Sequence, residues 1–187
     1  MMTRKESFKN DLRALGNLKV LICTAIFAAM SLTLGKFLQI PIGATIRISF
    51  ENLPVILAGI CFGPVAGIAC GVVADLVGCM LYGYTINPII TLGAASIGFL
   101  SGVISHYIIR KPILLKTVAA VVIPHIFGSL FIKTLGFYVF YGTPYWTTFT
   151  SRAIVYALIS VAEIAIIFVL LKSSMFTSQL RRLMQRK

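Results

Sequence analysis

Two kinds of side chain stand out in this sequence for the chemistry they can do: a few cations and a larger set of aromatic rings. Arg47, Lys133 and Arg152 carry positive charge in or beside strongly apolar sequence. Tyr82, Tyr84, Asn87, Tyr141, Tyr145 and Trp146 fall in short connecting stretches that contain Gly and Pro. An arginine can grip a carboxylate through two parallel N–H donors, and Tyr or Trp rings can stack on a flat ligand. These types together suit a ligand with a flat ring system and one or more acid groups. Glu51 follows Arg47 by four residues and Asn52 comes next, so residues 47–52 read as one edge of such a site. If a helix begins early there, Arg47 and Glu51 equally suit a structural salt bridge, and both readings stand.

Catalytic chemistry has no comparable support. The sequence contains no GxxxxGK[ST] phosphate loop and no HExxH, CxxC, GxSxG or paired-carboxylate motif. The four cysteines, Cys23, Cys61, Cys70 and Cys79, have no metal-ligand spacing and read as small buried apolar residues. No catalytic residue, metal site or cofactor is expected. Asp75, His125 and Glu163 are isolated ionisable residues within apolar stretches. A carboxylate at such a position is functional by default, with a structural hydrogen bond as the competing reading for Asp75. His125 reads as a packed hydrogen-bonding residue, and the three do not resemble a proton relay.

The elements that must position these groups are membrane helices. Of 187 residues, 58% are hydrophobic and 12% charged, and mean hydropathy is +0.95, outside the range of soluble domains. A spanning helix needs about 20 apolar residues. Six candidate stretches occur, at 20–36, 50–63, 65–83, 88–109, 113–140 and 151–171, the second being short. Backbone groups in lipid must be satisfied internally, so helices are expected, and the alternation of a lipid-facing barrel is absent. The fold class is therefore all-α: a polytopic six-helix bundle forming one integral membrane domain over 1–187.

The net charge of +12 is distributed by side. Arg4, Lys5, Lys9, Arg13 and Lys19 precede the first helix; Arg110, Lys111 and Lys116 follow the fourth; Lys172, Arg181, Arg182, Arg186 and Lys187 close the chain. With a cytoplasmic N-terminus all of these face one side, leaving Lys36, Arg47, Lys133 and Arg152 toward the other. That is the positive-inside pattern, with both termini cytoplasmic, a basic segment at 1–19 and a basic tail at 172–187. The tails also suit anionic lipid heads, and no recognition motif points to nucleic acid. The first apolar run lacks a small-x-small cleavage site and is expected to remain as a helix.

Along the chain, Ala25 and Ala29 make a small-xxx-small pair near Ala28, which by spacing alone reads as internal packing. Residues 36–49 break the helical pattern with Pro41 and Gly43 between β-branched runs, predicting an extended segment or hairpin. Gly59, Gly63, Gly67 and Gly71 recur at four-residue spacing across the Gly63-Pro64 turn, predicting a tight antiparallel helical hairpin. Gly98 and Gly102 form a further GxxxG.

The stretch RISFENLPVILAGICFGPVAGIACGVVADLVG at 47–78 resembles the substrate-binding S components of energy-coupling factor (ECF) vitamin transporters, especially their folate family. The glycine-rich start of the fourth helix and Arg152 at the start of the sixth support the resemblance, which spans nearly the whole chain. It implies a prokaryotic plasma-membrane protein that binds its vitamin on the outer face. It also implies a transmembrane coupling subunit and two cytoplasmic ATPases as partners. Family members contact the coupling subunit through an AxxxA pattern on helix 1, which Ala25 to Ala29 matches; the implied role of Ala25, Ala28 and Ala29 is then partner contact. Delivery would proceed by toppling of the S component in the membrane. For folate, a pterin joined to benzoyl-glutamate, Arg47, Lys133 and Arg152 would neutralise carboxylates while tyrosines stack on the rings. Pantothenate lacks rings, and thiamine is cationic. Related S components bind other vitamins, including pantothenate and riboflavin, and an independent secondary carrier is the remaining alternative.

Overall fold

The structure, a computed structural model, describes residues 16–42, 46–109 and 111–184. Nearly all of them are helical, in the order α1 (Leu18–Phe37), a β1 (Ile40–Ile42) and β2 (Ile46–Ile48) hairpin, α2 (Asn52–Phe62), α3 (Pro64–Tyr82), α4 (Pro88–Ile108), α5 (Ile113–Tyr141), α6 (Tyr145–Lys172) and α7 (Ser174–Met184). Five of these, α1, α3, α4, α5 and α6, are long and apolar enough to cross a membrane. The second predicted stretch differs. With 11 residues α2 is about 16 Å long at 1.5 Å per residue, roughly half a hydrocarbon core. Every one of its residues is buried, which explains why it is apolar on all sides: it meets protein all round.

Local chemistry sets the joints. Asn17 caps α1, its side chain accepting from the Lys19 N–H at 3.1 Å. The expected hairpin over 36–49 is present as an antiparallel β1–β2 ladder that pairs Ile40 with Ile48, Pro41 with Arg47 and Ile42 with Ile46. Between α2 and α3 a single residue, Gly63, turns the chain at φ 95°, a conformation that suits glycine, and Pro64 opens α3 where its missing N–H is harmless. Asn87 caps α4 by accepting from Ile89 N–H at 3.0 Å, with Pro88 again in the first helical position.

The last long connection is shorter than the sequence suggests. α5 runs through Tyr141 and α6 starts at Tyr145, so only residues 142–144 lie between. Pro144 bounds α6, and nothing in the following YWTTFTSR breaks a helix, so the apolar pattern extends backward by six residues from the expected start. Tyr145 and Trp146 are therefore first-turn residues, and Tyr82 is the last residue of α3.

The glycine spacing finds its use inside the bundle. A Cβ on Gly67 would collide with the Gly98 carbonyl, one on Gly71 with the Ala94 carbonyl, and one on Gly102 with Pro64. α3 and α4 thus meet backbone against backbone, as small residues allow in a medium that supplies no hydrophobic drive between helices. Pro124 interrupts α5, and the next eight residues, His125–Ile132, widen into π turns. Pro124 has no N–H to donate to the preceding turn, so the regular ladder is already interrupted where the π turns begin. At the other end of the bundle from the β hairpin, Phe176 and Leu180 of α7 pack on Val20, Cys61, Phe62 and Ala66. Cys61 and Cys70 are buried, Cys23 and Cys79 half-buried, and all four are free thiols.

Candidate ligand-binding site

At the hairpin end of the bundle lies a cavity of about 670 Å³, bounded by α1, the segment following the hairpin, and the adjoining ends of α2 to α6. Its volume falls in the roughly 300–1,000 Å³ range of small-molecule sites. Ser31 and Lys36 come from α1, Asp75 and Tyr82 from α3, Lys133 and Phe137 from α5, and Arg152 and Tyr156 from α6.

The predicted residues divide in three. Glu51, Asn52, Tyr82, Tyr84, Asn87, Lys133, Tyr141 and Arg152 all line the cavity. Tyr145 and Trp146 do not: Tyr145 stacks on Phe149 at 6.0 Å, and Trp146 is 76% exposed beside them. The backbone of Arg47 lies in β2, but its side chain falls outside the described residues, as do the basic residues of 1–15. The proposed Arg47–Glu51 pair accordingly lies outside the description, and Glu51 takes a different partner.

That partner is Lys133. Its Nζ, on a residue only 6% exposed, donates to Glu51 Oε1 at 3.3 Å and to Asn52 Oδ1 at 3.5 Å. The Lys133 charge is thereby already balanced within the protein. Glu51 is held in turn by its backbone carbonyl, which accepts from Ser31 Oγ at 2.6 Å. Asn87 is structural as well as lining: besides capping α4 it donates from Nδ2 to the Gly136 carbonyl at 3.1 Å, tying α4 to α5.

Arg152 is in a different state. Its Nη2 donates to the Tyr156 hydroxyl at 3.1 Å, and its guanidinium lies 5.1 Å from the Phe137 ring and 5.3 Å from the Tyr156 ring. Its Nε is buried and has no hydrogen-bond partner, and no carboxylate forms an ion pair with it among the described residues. A stacked cation with unused donors in a cavity is chemically able to bind an anion.

Asp75 supplies the opposite polarity. It lines the cavity, with Oδ2 accepting from Thr91 Oγ1 at 2.6 Å. Asp75 therefore bonds a neighbouring helix, as the structural reading expected, and also faces the cavity. Lys36 places its Nζ 4.8 Å from the centre of the Tyr82 ring, whose hydroxyl donates to the Leu32 carbonyl at 3.0 Å. Tyr84 sits edge-on to Tyr82 at 6.2 Å.

Sequence reasoning missed Tyr156, Phe137 and Lys36 as lining residues, and the partnership of His125 with Glu163. His125 Nε2 and Glu163 Oε2 lie 2.6 Å apart, both residues fully enclosed. The available signals were spacing ones: Tyr156 is one helical turn from Arg152, and two lone intramembrane ionisable residues of complementary type on consecutive helices should seek each other.

On α1, Ala25 and Ala29 are exposed beside Leu21, Ile22 and Ile26, whereas Ala28 is buried in the core.

Comparison with known proteins places this geometry in a group. The chain is 30% identical over 93 residues to "Uncharacterized protein MG313 homolog" of Mycoplasma pneumoniae (strain ATCC 29342 / M129 / Subtype 1), which covers 50% of this chain but 32% of that protein. The chain thus spans about a third of that relative's length. Among solved structures, its fold matches that described as "Crystal structure of FolT bound with folic acid" with a TM-score of 0.65 and 21% identity, covering 79% of this chain and 89% of the other. Residues 19–174 match the family described as "ECF transporter, substrate-specific component". A match over that length settles membership: this chain belongs to the family of substrate-specific components of ECF transporters.

Proposed function

We propose that this chain is the vitamin-binding membrane subunit of an ECF-type importer and that its ligand is folate. The observation that carries the reading is Arg152, a cation in the cavity with a buried, unpartnered Nε and no carboxylate of the described residues within 4.0 Å. A carboxylate of the ligand supplies the close partner that Arg152 lacks. Asp75 offers acceptors for the N–H edge of a flat heterocycle, while Tyr82, Tyr84 and Tyr141 offer ring faces or edges along the wall. Lys133 and Asn52 form the polar floor, and Arg47 on the hairpin is proposed to reach the same acid groups. The fold shared with a folic acid-bound protein supports this choice of ligand.

The proposed orientation puts the cavity outward and both termini in the cytoplasm, with α2 as the short sixth helix of the bundle. The position of Lys19, Lys111, Lys116 and Lys172 at the end away from the cavity supports it. In this reading the exposed Ala25 and Ala29 meet the coupling subunit, the ATPases join from the cytoplasm, and toppling turns the cavity inward.

The ligand is tested by equilibrium binding of folic acid, pantothenate and riboflavin to the purified chain in lipid nanodiscs. Folic acid is expected to bind at sub-micromolar concentration and the others far more weakly. Binding of pantothenate or riboflavin where folic acid fails at micromolar levels overturns the ligand. Uptake by the chain alone in proteoliposomes, without ATPase subunits, overturns the importer reading.

A further inference from the structure

α5 and α6 carry two facing rows of polar groups that run from the bundle interior to the cavity. On α5 they are His125, Ser129 and Lys133, at four-residue steps; on α6 they are Glu163, Tyr156 and Arg152. Only the outer members, Lys133, Tyr156 and Arg152, line the cavity. The inner members bond one another. His125 Nε2 meets Glu163 Oε2 at 2.6 Å and His125 Nδ1 meets Ser129 Oγ at 3.2 Å, so both ring nitrogens are engaged and the plane of the imidazole is fixed. One face of that plane stacks on the Tyr156 ring, with centroids 4.9 Å apart and planes 30° from parallel. The Tyr156 hydroxyl in turn accepts from Arg152 Nη2 at 3.1 Å.

Such a pair is an expensive way to join two helices. Buried ionisable pairs contribute little net stability, and replacing them with apolar residues is often neutral or favourable. Here Glu163 Oε1 is also buried without a hydrogen-bond partner among the described residues. Ordinary packing of α5 on α6 does not require this arrangement, and the arrangement does lie against a ring that holds a cation.

We propose that the buried His125–Glu163 pair is a positioning device for Arg152, acting through the Tyr156 ring. The pair fixes the imidazole, the imidazole fixes the ring, and the ring holds the guanidinium in the cavity with its remaining donors free. His125 and Glu163 then set affinity for the acid part of a ligand without touching it. The inference rests on the reading of Arg152 as the anion-binding group, and its test separates the two.

The first arm uses ligand-free protein: the Nε–H signal of Arg152, observed by NMR of ¹⁵N-arginine-labelled full chain in nanodiscs and assigned by its loss in Arg152→Lys. An ordered signal is expected in the wild type and in Glu163→Gln, which keeps the bond to His125. It is expected to broaden or disappear in Glu163→Leu and in His125→Leu/Glu163→Leu, the double variant leaving no buried unpaired charge and being expected to remain folded. An unchanged signal in the folded double variant overturns the inference, whatever the ligand. The second arm titrates folic acid and 6-hydroxymethylpterin, which lacks carboxylates. The double variant should weaken folic acid about tenfold and the pterin less than twofold, and its effect should vanish in an Arg152→Ala background. Equal weakening of both ligands, or an undiminished effect without Arg152, shows a structural pair only and overturns the inference. If the wild type fails to bind folic acid while the Arg152 signal still depends on the pair, positioning stands and the folate reading fails.

Discussion

The cavity is held by two seams built on opposite principles. Along α3–α4 the helices touch through Gly67, Gly71, Gly98 and Gly102, with backbone atoms occupying the space side chains would fill. Along α5–α6 the contact is made by long polar and aromatic side chains, among them His125, Glu163 and Tyr156. The first seam fixes distance and tolerates nothing larger; the second fixes orientation and should tolerate loss of both polar partners better than loss of one. The contrast teaches a division of labour: shape of the cavity from one side, aim of its cation from the other. The glycine-rich face lies in the bundle's interior, where it packs helices together.

Enlarging the glycine seam should do the most damage. Gly98→Leu places a side chain where Gly67 carbonyl and Cα lie, and is expected to destabilise by more than about 4 kcal/mol, since neither backbone can withdraw. The check is size-exclusion chromatography of detergent-extracted protein, where no monodisperse species should survive. A normal elution profile would break the comparison at its stronger end.

The polar seam should respond in a different pattern. His125→Leu alone leaves Glu163 buried without its partner and is expected to lower stability by roughly 3–5 kcal/mol. The double change His125→Leu/Glu163→Leu should recover most of that loss in thermal unfolding. Additive losses in the double variant would mean that the two residues do not act as a pair.

The smallest effect on the cavity should come from α1. Ala25→Trp with Ala29→Trp alters an exposed face, so ligand affinity should stay within about twofold, the level of a neutral surface change. Co-purification with the coupling subunit should be lost. Loss of ligand binding together with assembly would show that this face serves internal packing after all. Ala28 belongs to the core and is not suited to that experiment.

Much of the fold was legible in the sequence because lipid leaves few alternatives. Five apolar stretches matched long helices, and the break at Pro41 and Gly43 matched a β hairpin. The short 50–63 stretch read as a span because its apolar run resembles one, but α2 is apolar because protein surrounds it. At the site, charges and rings near the helix ends were found by type and placement. Their pairings were not. Glu51 pairs with Lys133, 82 residues away, a partner no local spacing points to, while the expected Arg47 pairing lies outside the described residues. Tyr145 and Trp146 moved off the cavity when α6 extended back to Pro144. Long-range pairing depends on how helices are rotated about their axes, which composition does not encode and which single-sequence spacing encodes only where complementary charges are few.

The central claim is that Arg152 binds an acid group of the ligand in this cavity. Isothermal titration of folic acid into purified wild-type protein and into Arg152→Ala tests it directly. Hydrogen bonds to a charged group contribute about 1.5–3 kcal/mol, so the variant should bind at least about tenfold more weakly while its melting temperature without ligand stays close to wild type. Equal affinity in the two proteins would contradict the account.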